Sequence, residues 1–409
     1  MDQATDLRSI PIRSGDARII GLISAAHFVS HYYILLLPPL FAFIRADYGV
    51  SYTELGLAIA TFNVVSGAFQ TPAGFLIDWI GARRILIAGL TLGAAAVLVM
   101  GLVPSFWVLV VMMALNGLAN TVYHPADYAI LAHLISSRRI GQAFSVHTFS
   151  GMLGTAVAPA SLLFLQSLVG WRGALVAAAL LGFAVAALLA LQGERLFDRV
   201  QPRKTVRPAH AGDAPDAGWR LLLSWPIVQN MLFFVLLAIT SGGVSNYSVV
   251  ALGALYGTPP ALANAALSSF LLMSALGVLV GGLLVGRTAR HGVVASLGLL
   301  ATGLAVLLVG AADLGTVLLM LAMAAGGLAS GIIMPSRDMI VRAVTPPGSF
   351  GKVFGFVTTG FNIGGIVAPP IYGALMDHGH PRAVFLVVGI SSLAAIVTVA
   401  TRARPAGAT

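Results

Sequence analysis

Twelve runs of apolar residues, each about as long as a bilayer is thick, leave this chain few ways to fold. A hydrocarbon core about 30 Å deep takes roughly 20 residues of helix. The runs lie at about 17–44, 54–78, 84–103, 106–135, 141–168, 171–192, 221–251, 261–286, 292–311, 315–343, 351–376 and 382–402. Of the 409 residues 58% are hydrophobic and only 9% charged, with a mean hydropathy of +0.93. A soluble chain would carry about 25% charged residues. The expected class is therefore an all-α membrane protein of twelve transmembrane helices. The net charge of +9 does not read as nucleic-acid binding, because basic residues in such chains record orientation.

The connections are short except at 193–220, which holds Arg195, Arg199, Arg203, Lys204 and Arg207 together with Pro202, Pro208 and Pro215. This reads as a cytoplasmic linker between an N-terminal six-helix bundle, 1–192, and a C-terminal one, 221–409. With twelve spans both termini share a side. That side receives Arg8, Arg13, Arg18, Arg83, Arg84, Arg138, Arg139, the linker, Arg287, Arg290, Arg342, Lys352, Arg402 and Arg404. The other has Arg45, Arg172 and Arg382. Lys and Arg concentrate on the cytoplasmic side, so both termini are expected in the cytoplasm. The first sixteen residues contain no short apolar core, and no cleaved signal peptide is expected. The absence of cysteine excludes disulfides and thiolate chemistry.

The halves repeat one another. Residues 124–172 lie over 334–382 at a constant offset of 210 with no gap. Pro125 falls on Pro335, Gly141 on Gly351, Phe144 on Phe354, Gly154 on Gly364, Pro159 on Pro369 and Arg172 on Arg382. Parallel repetition of this kind gives two six-helix halves related by an axis along the membrane normal.

Between the second and third runs stands Gly74-Phe75-Leu76-Ile77-Asp78-Trp79-Ile80-Gly81-Ala82-Arg83-Arg84. It resembles the cytoplasmic signature loop of the major facilitator superfamily. Gly74, Leu76, Asp78, Gly81 and Arg83 match, and Trp79 and Ala82 replace two usually basic positions. The resemblance covers essentially the whole chain. Within the superfamily the chain is most similar to the fosmidomycin-resistance-like efflux group, through Val122-Tyr123-His124-Pro125, Gly151-Met152-Leu153-Gly154 with Ala158-Pro159, and the matching run in the eleventh span. The resemblance implies two pseudo-symmetric bundles rocking about a cavity lined by the first, fourth, seventh and tenth spans. It also implies that Asp78, with Arg83, Gly74 and Gly81, forms a conformational switch. Asp78 would meet the start of the eleventh span and stabilise the outward-open state, or else cap its own turn.

Ionisable groups inside a bilayer are costly and are functional candidates by default. His27 and His31, four apart, share one face of the first span. The fourth span carries Asn116, Asn120, Tyr123, His124, Asp127 and Tyr128 at helical spacing; the fifth has His147, the tenth Arg337 and Asp338, the eleventh Asn362. The candidate solute and proton site is His27, His31, Asn120, Tyr123, His124, Asp127, Tyr128, Arg337 and Asn362, with Asp338 added to the switch. Asp127 and Arg337 are equivalent under the repeat, so they are expected to pair across the cavity when the cytoplasmic side is closed. The alternative is that each is satisfied within its own half, Arg337 by Asp338. An imidazole titrates near neutrality and can carry a proton across the cycle, and Asp127 can do the same. The His27–His31 pair shows no third ligand in sequence, so no metal site and no cofactor is read.

No phosphate-binding loop is present, so an ion or solute gradient must drive any transport. The expected function is a proton-coupled exporter of a small anionic or zwitterionic organic solute, acting as a monomer in the bacterial inner membrane. The alternative is a proton-coupled importer of an organic anion. Its expected partners are the solute, protons and lipid, and no nucleic acid. No nucleophile–base constellation suggests an enzyme.

Overall fold

The computed structural model describes residues 14–136, 139–197, 219–346 and 349–400. All regular structure among them is helical. The first span is a bent pair, α1 (Ser14–Ile34) and α2 (Phe41–Tyr48), separated by a 3-10 turn at Pro38–Leu40 and angled by 41°. Pro38 and Pro39 lack the N–H that a continuous helix needs there, and proline disfavours helix at the residue before it. The second span, α3 (Tyr52–Ile80), starts at a capping box in which Ser51 and Glu54 bond reciprocally. It stops at Gly81, whose φ of 103° is closed to most side chains. Next come α4 (Ala82–Leu102) and α5 (Phe106–Leu134). The fifth and sixth spans are the two arms of α6 (Ile140–Phe197), which turns back at Gly170 with φ 74° and ψ 169°.

The second half contains a short turn α7 (Trp219–Leu222), then α8 (Trp225–Tyr256), α9 (Pro260–Val285), α10 (His291–Ala311), α11 (Gly315–Ala343), α12 (Phe350–Asp377) and α13 (Pro381–Ala400). The seventh span thus starts later than the apolar run at 221–251. Ser224 precedes it with Pro226 in its first turn, and it ends at left-handed Gly257. Most of 193–220 lies outside the described residues, as do Arg8, Arg13, Arg138, Arg402 and Arg404, on which the orientation partly rests.

The repeat read in the sequence reappears as packing. In the first half α1 packs on α6, α5 on α3 and α4, and α4 on α6. In the second α8 packs on α12 and α13, α11 on α9 and α10, and α10 on α13. The halves meet along two equivalent seams, α3 with α12 and α6 with α9. Leu191, Phe164, Leu297 and Val317 face outward and exposed, as helix faces solvated by lipid tails should.

A cavity between the halves and a buried histidine cluster

A cavity of about 640 Å³ lies between the two halves, with His31, His124, Asn63, Asn246 and Arg337 among its walls. One end is sealed. There Tyr52 and Thr53 at the start of α3 donate their backbone N–H groups to the Asp377 carboxylate at the end of α12, at 2.8 Å each. Deeper along the same seam a Cβ on Gly56 would fall 2.5 Å from the Pro369 carbonyl oxygen. Asn63 donates to the Gly365 carbonyl at 3.1 Å. Toward the other end the α6–α9 seam opens. A second cavity of about 380 Å³ separates α6 near Phe144 and Thr148 from α9 near Leu279 and Leu283, and Phe75 and Trp79 stand exposed.

Arg337 sits on the cavity wall in α11. Its Nε and Nη2 bond Asp338 Oδ1 at 2.9 and 2.8 Å. Its guanidinium carbon lies 4.8 Å from the Phe234 ring centre and 5.4 Å from that of Phe361. Such cation–π contacts hold a guanidinium in place. Among the described residues Nη1 has no protein acceptor, so the group is positioned yet not exhausted.

Asp127 makes no cross-cavity pair in this conformation. It is completely buried within its own half and does not line the cavity. Its Oδ2 lies 3.5 Å from His27 Nδ1 and 3.8 Å from His147 Nε2. In this conformation the Asp127–Arg337 contact is replaced by Asp127 with imidazoles and Arg337 with Asp338. The reason is helix rotation: the face of α5 that carries Asp127 packs on α1 and α6, while the neighbouring position, His124, emerges on the cavity wall.

Around Asp127 the side chains form one cluster. The His27 and His147 rings stack with centroids 3.8 Å apart. His31 lies 4.5 Å and His124 4.9 Å from His27 by the same measure. His31 Nδ1 shares a hydrogen bond with Thr155 Oγ1 at 3.2 Å, and the His31 ring reaches the cavity. A Cβ on Gly151 would fall 2.5 Å from the His27 ring, so the absence of a side chain there gives the stack its room. His147 stands outside the candidate site that spacing suggests, although the sequence places it on the fifth span. It sits on a different span from Asp127, and only the packing of α5 on α6 makes their contact. Beside His27, nitrogen atoms of His124 and His147 come near in space, and the three all lie within 4.8 Å of one another.

Other expected site residues lie elsewhere. Asn120 donates to Ser66 Oγ at 3.1 Å and joins α5 to α3. Tyr123 is buried and its hydroxyl points to the Gly89 carbonyl at 3.4 Å. Asn362 packs against Gly67 in the α3–α12 seam. None of the three lines the cavity. Tyr128 is 42% exposed and sits edge-on to Phe144 and His147. Among the proposed switch residues, Asp78 is exposed at the end of α3. Arg83 donates to the Ala190 carbonyl at 2.9 Å near the end of α6. Gly74 has open space around it, and Asp338 serves Arg337.

Two tandem matches to the model of the Major Facilitator Superfamily, over residues 23–258 and 231–408, together span nearly the whole chain. The chain belongs to the Major Facilitator Superfamily. It is 22% identical over 389 residues to the fosmidomycin resistance protein of Escherichia coli K12, covering 93% of this chain and 92% of that one. It is 31% identical over 366 residues to the probable nitrate/nitrite transporter NarK2 of Mycobacterium tuberculosis, covering 84% and 85%. Among solved structures it is similar in fold to the nucleoside transporter NupG, with a TM-score of 0.77 at 16% identity, covering 94% of this chain and all of that one. A bacterial homologue of the human lysosomal transporter Spinster has a TM-score of 0.72 at 13% identity over 96% of both chains. As a facilitator of this superfamily the chain is a multi-pass membrane transporter, a secondary carrier and not an enzyme.

Proposed function

We propose that this facilitator exports a small anionic or zwitterionic organic solute from the bacterial cytoplasm in exchange for protons. The observation that carries the solute class is Arg337, whose guanidinium rests against the Phe234–Phe361 ring pair with Asp338 on its Nε and Nη2, on a cavity wall that includes no Asp or Glu among the described residues. A desolvated guanidinium presented this way binds carboxylate, phosphate or phosphonate groups in preference to cations. The histidine–aspartate cluster, one wall away, supplies groups able to take up and release a proton. A relative named for fosmidomycin resistance and another named for nitrate/nitrite transport support an anionic cargo.

In this reading the bundles 1–192 and 221–409 rock about the cavity, joined by the cytoplasmic linker 193–220, and the chain works as a monomer with both termini in the cytoplasm. The end of the cavity that carries Asp78 is then the cytoplasmic one, and the conformation is open to the inside.

The test is flux in inverted membrane vesicles with an imposed pH gradient, using fosmidomycin, simple phosphonates and small carboxylates as solutes. Accumulation driven by an acidic vesicle interior supports export by exchange. Uptake in the opposite sense, with protons and solute moving together, would replace this reading with the importer.

A further inference from the structure

The cluster joining α1, α5 and α6 contains donor atoms that neither packing nor internal hydrogen bonding uses. His27 Nδ1, both carboxylate oxygens of Asp127 and both ring nitrogens of His147 are buried without a hydrogen-bond partner. Those residues are 2%, 0% and 0% exposed. Buried polar atoms are satisfied in the great majority of cases, so this many orphans in one cluster call for an occupant.

We propose that His27, His124, His147 and Asp127 form a binding site for a divalent transition-metal ion of the zinc class. Ligand nitrogens of the three histidines lie within 4.8 Å of one another, and Asp127 Oδ2 is 3.5 and 3.8 Å from two of the rings. A tetrahedral zinc ion with bonds of about 2.0–2.1 Å keeps its ligand atoms about 3.3 Å apart. The carboxylate contacts already approach that spacing, and the stacked rings of His27 and His147 need only turn edge-on to the ion. Three imidazoles with one carboxylate suit Zn²⁺, Co²⁺ or Ni²⁺ and not Mg²⁺ or Ca²⁺, which require mostly oxygen. An entry path exists because His124 is exposed on the cavity wall while the other three are enclosed. Occupancy would tie α1, α5 and α6 together and give the buried carboxylate a cationic partner. Binding requires neither solute nor gradient, so it is measured apart from transport; an ion held here occupies the groups that the transport reading uses for the proton, and the two occupants exclude one another.

The experiment uses the full-length protein, purified in detergent without a polyhistidine tag, titrated with Zn²⁺ by calorimetry and with Co²⁺ by visible absorption. The chain has no cysteine, so an intense tetrahedral Co²⁺ spectrum reports nitrogen and oxygen ligands. The expected result is one saturable site per chain, with affinity weakened at least roughly tenfold by H147A and by H124A. His124 is exposed, so H124A keeps the test valid if the H147A protein does not fold. A double substitution of the exposed loop residues, H378A with H380A, should leave binding intact. Absence of a saturable site overturns the proposal. So does binding that survives H124A and H147A, binding lost only with His378 and His380, or a purely octahedral Co²⁺ spectrum.

Discussion

Asp377 at the end of α12 accepts three hydrogen bonds from the start of α3: the N–H of Tyr52, the N–H of Thr53 and, at 2.6 Å, the Thr53 hydroxyl. A carboxylate on the unsatisfied N–H groups of a helix start is favoured by hydrogen bonding and by the helix dipole. Here the carboxylate belongs to one half of the molecule and the helix to the other. The contact therefore cannot survive a motion that opens this end.

Replacing the charge by D377N should loosen the seal and move the population toward the state open at that end, by roughly tenfold at low salt. The chain has no native cysteine, so spin labels on cysteine pairs introduced at each end report the two openings without interference. An unchanged distance distribution would show that the seam is held by packing at Gly56 and Pro369 instead.

Removing the guanidinium by R337Q should weaken binding of the proposed anionic solute by roughly tenfold to a hundredfold, the value of a charge-assisted hydrogen bond. R337K is expected to recover only part of this, because an ammonium does not reproduce the planar group that rests against Phe234 and Phe361. Thermal-shift titration with phosphonates and small carboxylates measures both.

Asp127 is enclosed with its two imidazole neighbours and has no route to solute in this conformation. D127N keeps the shape and removes the carboxylate proposed to carry the proton. Solute exchange without a pH gradient should persist, while accumulation driven by the gradient should fall to background. Parallel loss of both would assign Asp127 to folding.

Two glycines should behave oppositely. An alanine at Gly151 would drive its Cβ into the His27 ring, and overpacking of this kind costs about 1–3 kcal/mol. A Cβ added at Gly74 would meet no atom within 4 Å, and alanine there gains helix propensity. Unfolding midpoints in detergent should drop for G151A and hold or rise for G74A.

Asp78 has no ion-pair or hydrogen-bond partner among the described residues, at the end of the molecule where a cavity separates α6 from α9. D78N should leave the unfolding midpoint unchanged and slow solute turnover, since its partner forms only when that end closes. Normal turnover would remove Asp78 from the switch.

The order of the spans, the repeat and the superfamily were legible in the residues, because a lipid core imposes length and apolarity on every helix regardless of its neighbours. The i, i+4 spacing placed His27 and His31 on one face of α1. The pairing of Arg337 with Asp338 was open as an alternative, being a contact between adjacent positions. What spacing cannot supply is the rotation of a helix about its axis and the identity of the helix it faces. Packing of α1, α5 and α6 turned Asp127 inward, brought His147 against His27 through the gap at Gly151, and left His124 on the cavity wall. Those contacts join residues on separate helices, some of them far apart in the chain. Only the close approach of helices in three dimensions decides them.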